Sequence, residues 1–233
     1  AWTDVDGAER DPAGARAMNV DASTRLATAC REANVHLVAV STDFVFSGLG
    51  GAPYAEDAPT DPISVYGETK RDGELAVLAA ASGVAVARTA WLYGGPGKHF
   101  PRTVLNVISA RGGIEVVDDE AGSPTFAGDL ATALVQLAAA RGAGIFHLAN
   151  AGRATRYELA QSVACHAGFT VERVTPTSTA AFLRKYPLPA KRPADSELAN
   201  NRAAALGITL RPWREAAAAY VPLLARELGI APH

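Results

Sequence analysis

Cysteine is nearly absent: Cys30 and Cys165 are the only two in 233 residues. Two thiols cannot build a disulfide framework. Both lie in stretches patterned as helix, so free, buried thiols in a reducing compartment are expected. Methionine occurs once, at Met18, and aromatic residues make up 7%. No apolar run approaches the roughly 20 residues that span a bilayer, and no stretch reads as a secretory signal. A cytoplasmic location is the resulting expectation. Neither charge sign prevails. The formal net charge is −2 and like charges form no block, which argues against a nucleic-acid or membrane-surface partner. The five His show no metal-ligand spacing, and no Cys pair has ligand geometry, so no metal site is expected. Internal repeats and low-complexity linkers are missing too. So is any Gly-rich strand–turn–helix of the kind that cradles a dinucleotide pyrophosphate.

What is present suits a globular domain: 48% hydrophobic and 20% charged residues can bury a sizeable core. Asp11-Pro12 is a helix start, an N-cap acid before Pro at the first helical position, and helical patterning runs on to about Ala33. The Val-rich run 36–41 reads as a buried strand ending in Ser41-Thr42-Asp43. Gly, Pro and Asp mark 47–62 as a loop. Helical patterning resumes over 66–81, and a second buried strand follows at 84–88. Further helices are expected near 100–110, 125–140, 155–167 and 213–228, with strands at 114–117 and 145–148. Thr155 with Glu158 forms a capping box. The Pro-rich stretch 174–196 reads as irregular. Strands alternating with helices indicate an α/β fold around a parallel sheet, with a smaller lobe after about residue 150. Such sheets bind ligands at the carboxyl ends of their strands, here near Thr42, Arg88 to Tyr93, and Asn150.

Tyr66 and Lys70 stand one helical turn apart in Tyr66-Gly67-Glu68-Thr69-Lys70, on one face of a helix start. An ammonium beside a phenol favours the phenolate and lowers its pKa from about 10, toward the range useful for proton transfer. Thr42, at a strand end one segment earlier, reaches the same crevice in a parallel sheet, where its hydroxyl can bond a substrate carbonyl. The bland alternatives are a half-buried Tyr with a solvated Lys, and a Thr capping the turn after its strand.

Thr, Tyr and Lys in this order resemble the catalytic set of the short-chain dehydrogenases. The surrounding segments resemble one branch, the dTDP-4-dehydrorhamnose reductases, along essentially the whole chain. They are Val40-Ser41-Thr42-Asp43-Phe44-Val45-Phe46-Ser47-Gly48; Pro53-Tyr54-Ala55-Glu56-Asp57 with Pro59 and Pro62; Arg88-Thr89-Ala90-Trp91-Leu92-Tyr93-Gly94; Gly122-Ser123-Pro124-Thr125 with Asp129-Leu130-Ala131; Pro189-Ala190-Lys191-Arg192-Pro193 with Ser196 and Leu198; and Pro212-Trp213-Arg214-Glu215. The resemblance implies a Rossmann-type doubly wound parallel sheet, incomplete at the N-terminus, because Ala1 matches a position just after the family's fourth strand. It assigns residues 1–95 and 126–150 to the remaining nucleotide-binding domain, and 96–125 and 151–233 to a substrate-binding lobe. It implies NADPH, with NADH as the alternative, and reduction of the C4 ketone of a dTDP-linked 4-keto-6-deoxy sugar. Tyr66 would protonate the alkoxide, Thr42 would bond the same oxygen, and Lys70 would hold the cofactor ribose. Ala1 and Thr3 would line the cofactor. Asp43 and Trp91 would line the sugar site, and Lys191 and Arg192 would meet the substrate diphosphate. Some relatives bind Mg²⁺ between subunits, but no residue set for it is identifiable, and a homodimer stays open. Two alternatives stand: a non-catalytic binding or regulatory subunit of the same fold, and an epimerase or dehydratase, which Thr42-Asp43 also resembles.

Overall fold

The computed structural model describes residues 1–230. By internal contacts the chain forms two compact units. The first comprises Ala1–Ala90, Ala131–Ala149 and Leu188–Thr209, and the second Trp91–Leu130, Asn150–Pro187 and the chain from Leu210 onward. The Leu188–Thr209 segment, which the sequence grouping places in the C-terminal lobe, packs with the first unit. Tyr54 N donates to Glu197 O (2.8 Å) and Ala199 N donates to Tyr54 O (2.8 Å), tying the segment beside the loop that precedes the tyrosine helix.

The first unit is built on a three-stranded parallel sheet, β1 (Val38–Thr42), β2 (Ala85–Thr89) and β7 (Gly144–His147), in the order β1-β2-β7. The central strand β2 is buried along its whole length, as expected of a Val/Ala-rich strand covered on both faces. Register pairs Thr42 with Thr89 and Arg88 with His147, so these polar residues gather at the carboxyl ends of their strands. The helical stretch expected over 11–33 is interrupted. Helix α1 (Val5–Arg10) and α2 (Pro12–Arg16) lead into a π-helical turn, Ala17–Asp21, and then α3 (Ala22–Glu32). Asp4 and Asp11 cap the first two, accepting from Gly7 N and Gly14 N at 2.9 Å.

Helix α4 (Val65–Ala80) starts at its N-cap Ser64, whose hydroxyl accepts from Gly67 N. Two glycines let it lie close to neighbouring backbone. A Cβ at Gly67 would collide with Phe44 O, and one at Gly73 with Asn19 O in the π-helical turn. These contacts place the start of α4 beside the end of β1.

The second unit contains the short strands β3 (Leu92–Tyr93), β4 (Ile114–Val117), β5 (Ala121–Gly122), β6 (Thr125–Phe126), β8 (Ala154–Thr155) and β9 (Val174–Thr177). Its helices are α5 (Phe100–Arg111), α7 (Arg156–His166), α8 (Thr179–Lys185) and α10 (Trp213–Glu227), while α6 (Ala127–Ala139) runs from one unit into the other and α9 (Asn201–Ala205) belongs to the first. Leu105, Leu159, Val163, Trp213 and Leu224 are central to its core. Strand β4 pairs with β9 and not with the main sheet. The stretch expected to be irregular therefore opens with a strand and a helix. Pro176 hides the strand from pattern reading, because proline cannot donate to a ladder and is tolerated only at an edge. The Thr155–Glu158 capping box forms as read. Both cysteines are free, but Cys30 is half-buried and Cys165 exposed, contrary to the expectation of buried thiols. Cys165 lies off the face of α7 that buries Leu159, Ala160, Val163 and Ala164.

Candidate active site

The end of β1 and the first turn of α4 bring the expected hydroxyls together. Thr42 is buried, and its hydroxyl donates to Asp43 Oδ1 (3.0 Å) while accepting from Phe44 N (3.2 Å). The Tyr66 phenol lies near enough to the same hydroxyl to be influenced by it. Burial pushes that phenol up to about 12, the Thr42 hydrogen bond pulls it back and the Asp43 charge adds to the rise. This corrects the expectation of a lowered phenol: desolvation and the Asp43 charge outweigh the pull of Thr42, and Tyr66 is a firmly protonated acid. One turn on, Lys70 Nζ donates to Val40 O at 2.8 Å. Burial lowers Lys70 below its ordinary value, and the Glu74 carboxylate opposes the shift.

Asp43 is fully buried, and its second oxygen accepts from Ser196 Oγ at 2.5 Å. Ala1 and Thr3 are exposed at the start of the first unit. Between them Trp2 N donates to Asn19 Oδ1 (2.8 Å), and buried Asn19 donates onward to Thr69 Oγ1 (3.0 Å), connecting this segment to α4. Lys191 is exposed. Arg192 is engaged: its guanidinium donates to both oxygens of Asp6 at 2.7 and 3.1 Å. Burial tends to raise the Asp6 carboxyl, but bonds from Arg192 and Ala190 N together with the Arg192 charge hold it below the ordinary value.

In the second unit, Trp91 has a left-handed backbone, φ 45°. A bulky residue there carries strain of about 1–3 kcal/mol, tolerated where surrounding structure dictates it. Trp91 O accepts from Thr125 N at 3.3 Å, and the Arg156 guanidinium stacks 3.6 Å from the indole centroid. Glu120 Oε2 lies 3.9 Å from Arg156 Nε.

The family model described as the RmlD substrate binding domain matches residues 1–225. A dTDP-4-dehydrorhamnose reductase of Mycobacterium tuberculosis is 44% identical over 225 residues, covering 94% of this chain and 73% of the relative. The chain belongs to the dTDP-4-dehydrorhamnose reductase family. A Streptomyces antibioticus relative, a probable dTDP-4,6-dihydroxy-2-methyloxan-3-one 4-ketoreductase, is 48% identical over 219 residues, covering 93% of this chain and 73% of its own length. Among solved structures, the Bacillus anthracis dTDP-4-dehydrorhamnose reductase in complex with NADP superposes with a TM-score of 0.88 at 32% identity, covering 94% of this chain and 77% of that one.

Sequence reasoning missed the buried ionic cluster behind the site in this family member. Arg88 donates three hydrogen bonds to Glu74, the shortest 2.7 Å, with both side chains almost wholly buried. The sequence alone admits an Arg88–Asp129 pair; instead Asp129 accepts from Arg211 at 2.8 Å. His147 lies against Arg88 and gives Nδ1 to Ala199 O. Burial, reinforced by the Arg88 charge, pushes His147 down to about 3, so it is neutral. Only a strand-end Arg and a helix Glu were visible in sequence, and nothing there specifies which acid meets which base.

Proposed function

We propose that this chain carries the catalytic set of a cytoplasmic NADPH-dependent reductase acting on the C4 ketone of a dTDP-linked 4-keto-6-deoxy sugar. The substrate is dTDP-4-dehydrorhamnose or a close analogue, and the product dTDP-L-rhamnose or its counterpart. The observation that carries this reading is the meeting of Thr42, at the carboxyl end of β1, with Tyr66 in the first turn of α4 and Lys70 one turn along it.

The donor set fits a nicotinamide cofactor. Lys70 has three N–H donors and gives one to Val40 O, leaving donors suited to ribose hydroxyls. The cofactor, when bound, supplies the hydride. Tyr66, protonated up to about 12, gives its O–H proton to the ketone oxygen as negative charge develops there. Lys70 stabilises the resulting phenolate by charge, and Thr42 donates a hydrogen bond to the ketone oxygen as it becomes an alkoxide. Ala1 and Thr3 are assigned to the cofactor, and Asp43 and Trp91 to the sugar. Lys191 is assigned to the diphosphate. Arg192, held by Asp6, shapes that loop and adds positive charge.

A second reading concerns only the sugar. The 48% identity to the Streptomyces antibioticus ketoreductase favours a related deoxysugar ketone over the rhamnose precursor. Oxidation of NADPH, followed by absorbance with each ketone, tests both. Consumption dependent on a dTDP-4-keto-6-deoxy sugar supports the function, and the larger kcat/KM identifies the sugar. No consumption with any such ketone, in protein that binds NADPH, would point to a binding subunit.

A further inference from the structure

We propose that Ser196 is a positioning residue for the reduction, acting through Asp43 on the Thr42–Tyr66 pair; the proposal rests on the reductase reading above. Thr42 has one proton to donate, and Asp43 Oδ1 takes it at 3.0 Å. Its oxygen meets Phe44 N as an acceptor. With its one proton held by Asp43, Thr42 has none to give the neighbouring Tyr66 phenol in the resting site. Ser196 Oγ donates to the other carboxylate oxygen at 2.5 Å, and all three residues that surround this carboxylate exchange are buried.

That arrangement changes during turnover. When the Tyr66 O–H bond breaks and its proton moves to the ketone oxygen, the phenolate becomes an acceptor. Thr42 can serve it, or the ketone oxygen, only by turning its own O–H away from Asp43. The buried carboxylate then loses a donor, and Ser196 is the side-chain hydroxyl that stays on it. Ser196 thus keeps the Asp43 carboxylate hydrogen-bonded and in place while Thr42 changes partners.

The fold holds Ser196 firmly enough for this. Asp195 N donates to Gly48 O (3.2 Å), Tyr54 pairs with the backbone on both sides of Leu198, and Gly48 is backed so closely by Pro193 and Ala194 that a Cβ has no room. The serine is delivered to the carboxylate by a second chain segment tied in at both ends.

Steady-state kinetics on Ser196→Ala, Ser196→Thr and Asp43→Asn test the proposal, with Tyr66→Phe as the control on the reading itself. Ser196→Ala is expected to lower kcat about tenfold, the size of one lost hydrogen bond to a charged group, with KM for the keto sugar within about twofold of the parent. Ser196→Thr, which keeps the hydroxyl, restores most of the rate. In the Asp43→Asn background Ser196→Ala has no further effect on kcat, because both changes act through one carboxylate. Two results overturn the inference while leaving the reductase reading intact: an unchanged kcat in folded Ser196→Ala, or an equal and additive loss in both backgrounds. Full turnover by Tyr66→Phe overturns the reading and the inference together.

Discussion

Thr42, Asp43 and Ser196 form a hydroxyl–carboxylate–hydroxyl chain beside the Tyr66 phenol. Behind it, Arg88 and Glu74 form an ion pair almost without solvent access. Burying such a pair brings little net stability, but removing one member strands a charge, at about 3–5 kcal/mol. Glu74→Ala is therefore expected to lower the melting temperature by roughly 10 °C or more, at about 2–4 °C per kcal/mol for a chain of this size. A calorimetric scan within 2 °C of the parent, to order of magnitude, contradicts that. Arg156 stacks on Trp91 by its planar face, a contact that lysine reproduces poorly. Arg156→Lys should shift or brighten tryptophan emission, whereas an unchanged spectrum would mean that the stack does not persist in solution.

At the scale of elements, α4 does most to place the site. Its Ser64 cap, Gly67 against Phe44 O and Gly73 against Asn19 O fix both where it starts and how closely it approaches β1. Gly67→Ala forces α4 away from the strand end. It should reduce turnover more than it reduces stability, as compared by kcat and chemical denaturation. Equal turnover in Gly67→Ala would show that this approach is not needed. This helix and β2 were legible in sequence to within a residue at each end, β1 to within two, and the capping box at Thr155 outright, because hydrophobic period and cap chemistry are local. The π-helical turn at Ala17–Asp21 was not, since it arises where Asn19 must meet Trp2, Thr69 and Gly73. Strand β9 was hidden by Pro176, and nothing local told that it is the partner of β4. The catalytic candidates were readable as types and spacing. The raised Tyr66 phenol and the Asp6–Arg192 pair depend on tertiary burial and neighbours, which spacing does not encode.

At the scale of the whole molecule, pH couples to stability through His147. Its pKa falls from 6.5 to about 3 on folding, so between those values the unfolded chain binds more protons than the folded one. Stability is full above about 6.5 and declines as pH falls toward 3. Melting temperature should therefore drop between pH 7 and 4, and His147→Gln should flatten that slope. The depressed carboxyls of Asp6 and Asp72 act in the same direction, but only below their ordinary value of 3.8, so the two contributions separate by window. A parent profile flat from pH 7 to 4 contradicts a buried neutral imidazole. Among the described residues no helix is long and apolar enough to cross a membrane. The central claim is that Tyr66 is the proton donor in an NADPH-dependent ketone reduction. The most direct measurement is single-turnover NADPH oxidation with the dTDP-4-keto-6-deoxy sugar, comparing the parent with Tyr66→Phe. The account predicts a loss of about 10²-fold or more in the variant with cofactor binding retained, and a rate equal to the parent would contradict it.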